Sequence, residues 1–166
     1  MTAVRDDYLD RLRLAYEEEV ETEAYFAALA ARVENGRHRE GLHLLAELER
    51  RTARIIAPLL DRHGLVPRDD ASLAACGRMQ ASREAPEWDH LMADMRQTYP
   101  GYITYFEQLE ADGPVADRPR LAFLPEHERA ALEFLNLEAG GDPNSTAPLR
   151  RYLETVQPDD TTLGGA

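Results

Sequence analysis

"EEEVETEAYF", residues 17–26, sets five glutamates within seven positions and runs straight into an aromatic residue. In a helix, an advance of about 100° per residue sorts these acids onto different faces. Leu9, Leu12, Tyr16, Phe26, Ala27 and Ala30 define the apolar face. Glu23 points into the middle of that face, and Glu19 lies about 40° away, toward its edge, as a rim residue. Glu17, Glu18 and Glu21 point away and read as an ordinary solvated surface.

Outward from this stretch the periodicity stays helical. β-Branched residues are sparse and no alternating run is long enough for a strand, so the fold class is all-α. The first helix is predicted over residues 6–34, stopped by Asn35-Gly36. A second follows at once and ends at Gly64, with a kink expected at Pro58 because proline removes a backbone bond. Residues 64–85 form a long connection carrying a short Ala-rich helical turn. A third helix is expected from Pro86 to about Ala111, bent or broken at Pro100-Gly101. "ADGPVADRPR", residues 111–120, reads as a loop. Pro125 opens a fourth helix that closes at Gly140-Gly141. A short fifth helix follows, capped by Ser145 or Thr146, with Pro148 in its first turn. Residues 1–156 thus form one helical domain and 157–166 a tail expected to be disordered.

The chain has 166 residues, 31 acids, 19 bases and a net charge of −12. Such a field repels phosphate backbones and anionic headgroups, which points away from nucleic acid and membrane and toward a small-molecule partner. One cysteine, Cys76, excludes an internal disulfide, and no stretch has signal-peptide or transmembrane character, so a cytoplasmic protein is expected. Cys-x-x-Cys, phosphate-binding glycine loops and Gly-x-Ser-x-Gly are all absent.

The second helix repeats the pattern of the first. Glu49 falls inside the arc of Leu42, Leu45, Leu48, Thr52, Ile55, Ile56 and Leu59. Glu23 and Glu49 lie equally far from the turn at Gly36, so antiparallel packing brings them to one depth. On the fourth helix Phe123, Ala130, Ala131 and Phe134 surround His127, with Glu138 on the same face. From a start at Pro125, Glu138 reaches the Glu23–Glu49 layer and His127 sits near the bundle end. Third-helix inward residues are Trp88, Met92, Met95, Tyr99, Tyr102, Phe106 and Leu109; Tyr102 is the one expected nearest the polar layer, as a catalytic group. Converging buried carboxylates need a cation, a shared proton or an arginine.

On Glu23 in "ETEAYFAALA", Glu49 in "LAELERRTA" and the stretch "PEHERAALEFLNLEAG", the chain resembles the ferritin-like superfamily of rubrerythrin and diiron-carboxylate type. The resemblance covers about residues 6–140. It implies a four-helix bundle with one long connection, between helices 2 and 3, and a possible homodimer. It also implies iron or manganese held by Glu23, Glu49, His127 and Glu138, and oxidation of a small molecule. Thr52 stands where the family's Glu-x-x-His motif has histidine, and the fourth helix lacks that motif too. One metal, an unusual ligand set or a metal-free bundle serving binding or acid–base chemistry all remain compatible with these residues. The sequence leaves open whether Glu19 and Glu128 join the site.

Overall fold

A computed structural model describes residues 2–83 and 87–156, with side chains from residue 7 onward. The described residues form helices α1 (Thr2–Ala30), α2 (Gly36–His63), α3 (Asp70–Arg83), α4 (Trp88–Asp112), α5 (Arg118–Leu121), α6 (Phe123–Ala139) and α7 (Ala147–Thr155), with no strand among them. No helix is long and apolar enough to cross a membrane. The expected disordered tail, 157–166, lies outside the described residues, as does Pro86.

The α1–α2 turn is built by local chemistry. Asn35 accepts hydrogen bonds from the backbone N–H groups of Arg37 and His38, capping α2. Gly64 ends α2 at φ 66°, a left-handed conformation that glycine adopts without a Cβ clash. Pro58 lies within α2 and Pro100 within α4, and both helices run through them. Of the bend or break expected at Pro100-Gly101, the break therefore does not occur. Pro100 is exposed, so the carbonyl that loses its partner is on the solvated side of the helix.

The long connection differs more. Instead of one helical turn it contains the 14-residue α3, which packs along α1. Leu73, Gly77 and Ala81 form its buried stripe. Gly77 permits the contact: a Cβ there would lie 2.0 Å from the Glu21 carbonyl oxygen and 3.0 Å from the Tyr25 nitrogen. Asp69 accepts from the Ser72 N–H and hydroxyl just ahead of the helix. The segment read as a loop holds the short α5, and α6 starts two residues before Pro125. Thr146 flanks α7 without a side-chain capping bond, and Ser145 instead donates to Glu138.

α1 packs on α2, α4 on α6, and the two pairs meet through α2–α6 and α1–α4 contacts, with α7 against α6 and α2. The apolar interior is divided in two. One cluster holds Phe26, Leu42, Leu45, Leu48, Met95, Tyr99, Ala131 and Phe134. The other holds Tyr8, Leu12, Ala15, Ile56, Leu59, Phe106, Leu109 and Leu124. Along each of the four long helices the change from one cluster to the other, Ile55 apart, falls at the same level. Glu19, Glu49, His127 and Glu128 occupy that level.

Candidate metal centre

Three helices bring four ionisable side chains together. Glu19 comes from α1, Glu49 from α2, and His127 and Glu128 from α6. All four are buried, at 2%, 4%, 0% and 7% exposure. His127 Nε2 lies 3.3 Å from Glu19 Oε2, 3.3 Å from Glu49 Oε2 and 3.7 Å from Glu128 Oε1. One donor atom from each of Glu19, Glu49 and His127 lies within 4.8 Å of the other two.

Hydrogen bonding is incomplete at this point of the molecule. Glu19 Oε2, Glu128 Oε2 and both ring nitrogens of His127 are buried without a hydrogen-bond partner of good geometry. Nearly all buried polar atoms in folded proteins are satisfied, so four that lack a well-formed hydrogen bond in one cluster are unusual, even with His127 Nε2 3.3 Å from two carboxylate oxygens. The neighbouring polar groups are otherwise engaged. Thr52 Oγ1 donates to the Leu48 carbonyl, and its hydroxyl shares a 2.8 Å hydrogen bond with that of Tyr152.

Burial and mutual repulsion shape the titration. Burial raises the Glu19 pKa well above the carboxylate range, and the charges of Glu49 and Glu128 add to the effect. Burial also pushes Glu128 up to about 8, partly offset by His127 and reinforced by Glu49. For His127 burial favours the neutral ring, but Glu128 and Glu49 outweigh it and hold the pKa at about 9. Burial and the same carboxylates raise the Tyr99 pKa.

A pocket of about 480 Å³ connects this cluster with the surface. Glu19, Glu49 and Glu128 border it, Phe26, Met95, Tyr99 and Phe106 form its walls, and Glu18, Thr22, Thr98 and Tyr102 also line it. Phe106 packs beside the His127 ring at 5.9 Å between centroids.

Of the residues singled out by sequence, Glu49 and His127 meet in the cluster. Glu23 does not. It is half-buried in a separate groove with Arg50, Arg54 and Asp70, where burial raises its pKa and the two arginines oppose the rise. Glu138 sits near the start of α2, 3.0 Å from Arg37, and accepts from Ser145. Although burial opposes it, Ser145 and Arg37 hold its carboxyl below the usual range. His127 is not at the bundle end, because α6 begins at Phe123 and the site lies within its second turn. Tyr102 is exposed, whereas Tyr99 is the buried tyrosine next to the carboxylates. Glu17 is not solvated: it is 2% exposed, held by Arg13 and by both the backbone N–H and the guanidinium of Arg68.

The difference on α1 has a simple cause. Tyr8, Leu12, Ala15, Phe26 and Ala30 are the buried residues that centre its inner face, and Glu19 lies amid them. Leu9, Tyr16 and Ala27 draw the expected centre about 40° toward Glu23. Tyr16 and Ala27 border the α1–α2–α3 groove instead, and Ala27 is exposed. On α6, Leu124 and Leu135 are also buried, which widens the inner arc enough to include Glu128. Ala15, Leu124 and Leu135 are the signals in the sequence that bear on Glu19 and Glu128, the two acids it left open.

No protein-family model, curated protein or solved structure matches this chain.

Proposed function

We propose that the cluster is a binding centre for iron or manganese, and that the protein is an oxidoreductase acting on a small molecule in the adjoining pocket. The observation that carries this reading is the convergence of Glu19, Glu49 and His127 on one point, with buried donor atoms that lack a well-formed hydrogen bond. The fit is chemical as well as geometric. Carboxylates with one imidazole suit hard and borderline divalent ions. Two ligands about 2.1 Å from a shared ion, at common coordination angles, stand about 3.0–3.4 Å apart; His127 Nε2 is 3.3 Å from each of two carboxylate oxygens.

Glu19, Glu49 and His127 would hold the ion, with Glu128 beside them as a further ligand or as a proton carrier. When bound, such an ion supplies one-electron redox chemistry toward O2 or peroxide. The chain's own contribution is positional. α1, α2 and α6 fix the donors, the Phe26, Met95 and Phe106 side chains limit water, and the pocket admits substrate to one side of the centre. The scaffold reading is a ferritin-like bundle of α1, α2, α4 and α6, with α3 as an added outer helix.

The test is anaerobic titration of purified protein with Fe(II) and with Mn(II), read by elemental analysis and calorimetry. About one ion per chain is expected, with uptake abolished in Glu49→Gln and His127→Ala. Stoichiometric uptake that survives both substitutions would sink the proposal. A metal-free protein whose activity persists would favour the second reading, in which, between the values of about 8 and about 9, Glu128 acts as base and His127 as acid.

A further inference from the structure

Among the described residues the buried tyrosines are Tyr8, Tyr99 and Tyr152, at 3%, 6% and 7% exposure. A buried phenol normally finds a hydrogen-bond partner, because its hydroxyl is otherwise cut off from water. Tyr8 donates to Asp117 at 2.8 Å, and the Tyr152 hydroxyl meets that of Thr52 at 2.8 Å. Tyr99 differs from both. It has no hydrogen bond among the described residues, and it lines the pocket beside the cluster. An ion at the centre would engage Glu19, Glu49 and His127, and so would account for the buried donor atoms there that lack a well-formed hydrogen bond. It would not account for Tyr99, which lies outside that ligand set.

The surroundings of Tyr99 limit what its partner can be. Its ring stands edge to face with Tyr102, centroids 6.2 Å apart, and Phe26, Met95 and Phe106 complete an aromatic and apolar wall. Such a wall suits a flat ring. The Tyr99 hydroxyl has one proton to donate, so the ring must bring an oxygen that accepts it. A ring hydroxyl does so and can donate in turn to Glu128 Oε2, which borders the same pocket and has no hydrogen bond; a carboxyl oxygen accepts in either protonation state. A carbonyl compound could make only the first of these bonds, and a hydrocarbon neither.

We infer that the pocket binds a small neutral phenol, whose oxygen accepts the hydrogen bond of the Tyr99 hydroxyl and whose ring lies against Phe26, Met95 and Phe106. This names the substrate class of the centre proposed above and rests on that reading only for the chemistry, not for the binding. About 480 Å³ accommodates a single substituted ring.

The probes are phenol and toluene, which are nearly equal in shape and differ by the hydroxyl, so they separate the Tyr99 bond from mere filling of the pocket. Each is titrated calorimetrically into the full chain, both metal-free and Mn(II)-treated, and into Tyr99→Phe and Tyr102→Phe. Phenol is expected to bind at least about fivefold tighter than toluene, because toluene would strip water from the Tyr99 hydroxyl without replacing its bond. Tyr99→Phe should weaken phenol by about fivefold or more and leave toluene within about twofold, which also shows that the variant keeps the pocket. Tyr102→Phe should preserve the preference. The comparison of the two probes in the unaltered chain stands even where a variant fails to fold. Toluene binding as tightly as phenol, no detectable phenol binding, a preference that survives Tyr99→Phe, or an equal loss in both variants would overturn the inference. Phenol preference without Mn(II) uptake would remove the metal centre and leave the pocket assignment standing. Mn(II) uptake without phenol preference would do the reverse.

Discussion

At the scale of single residues the site depends on a rotation of about 40° around one helix axis. Glu19 and Glu23 are one turn apart on α1. One enters the cluster and the other the α1–α2–α3 groove. Glu19→Gln should therefore weaken Mn(II) binding by about a hundredfold or more, whereas Glu23→Gln should leave it within about twofold. Calorimetric titration of the two variants decides this, and equal losses in both would place the centre elsewhere. Glu49 and His127 are legible as inward polar residues because apolar neighbours at helical spacing flank each of them. Glu19 is not, since α1 buries residues on two sides and the wheel averages both contacts. Glu138 shares His127's face but not its depth: 11 positions on a helix are about 16 Å. Face is readable from periodicity, but depth needs the true helix start, and α6 starts before its proline.

Among the helices, α3 is the element that the sequence least announces. Its apolar stripe is thin, consisting of Leu73, Gly77 and Ala81, so periodicity gives little sign of a packed face. A glycine in mid-helix reads as a weakness by propensity, yet here it is the point of closest approach to α1. Gly77→Ala is expected to destabilise the protein by about 2–3 kcal/mol, measured by urea unfolding, because the new methyl meets backbone that cannot rotate away. Ala75→Gly on the exposed side of the same helix should cost about 1 kcal/mol through propensity alone. A Gly77→Ala penalty no larger than that would show that α3 can slide to accommodate it. The other helices are largely legible, with ends marked by Gly64 and Gly140, but α1 stops at Ala30 rather than at residue 34, and Asn35 caps the start of α2 instead of ending α1. Pro100 misleads because the carbonyl it leaves open, that of Arg96 one turn earlier, lies on the exposed side of the helix.

For the whole molecule, the clustered acids should make stability and the affinity of the proposed metal centre depend on pH in opposite directions. Burial raises the Glu19 and Glu128 pKa values, the latter to about 8, and the carboxylates raise His127 to about 9 against its burial. Between about pH 4.5 and 9 the metal-free native state therefore holds more protons than the unfolded chain. Its stability should fall as pH rises through that window, by several kcal/mol in total, since each tenfold change in proton affinity corresponds to about 1.4 kcal/mol. Ligation needs those protons gone, so Mn(II) affinity should climb between about pH 6 and 9, with protons released on binding. Thermal unfolding with and without Mn(II), measured at several pH values, checks both slopes. A metal-free protein that gains stability from pH 5 to 9 would contradict the protonation scheme. The all-helical class is legible throughout, from sparse β-branched residues and unbroken helical periodicity.

The division of the interior into two apolar clusters has a consequence for cooperativity. Each cluster is modest, and the layer between them is made of groups that would rather be hydrated, so the metal-free chain has a natural seam across α1, α2, α4 and α6. Sub-global opening of one half should precede complete unfolding. Hydrogen exchange would then show two tiers of amide protection, one for each half. An ion bound as proposed by Glu19, Glu49 and His127 would act as a rivet through that seam and should merge the two tiers into one.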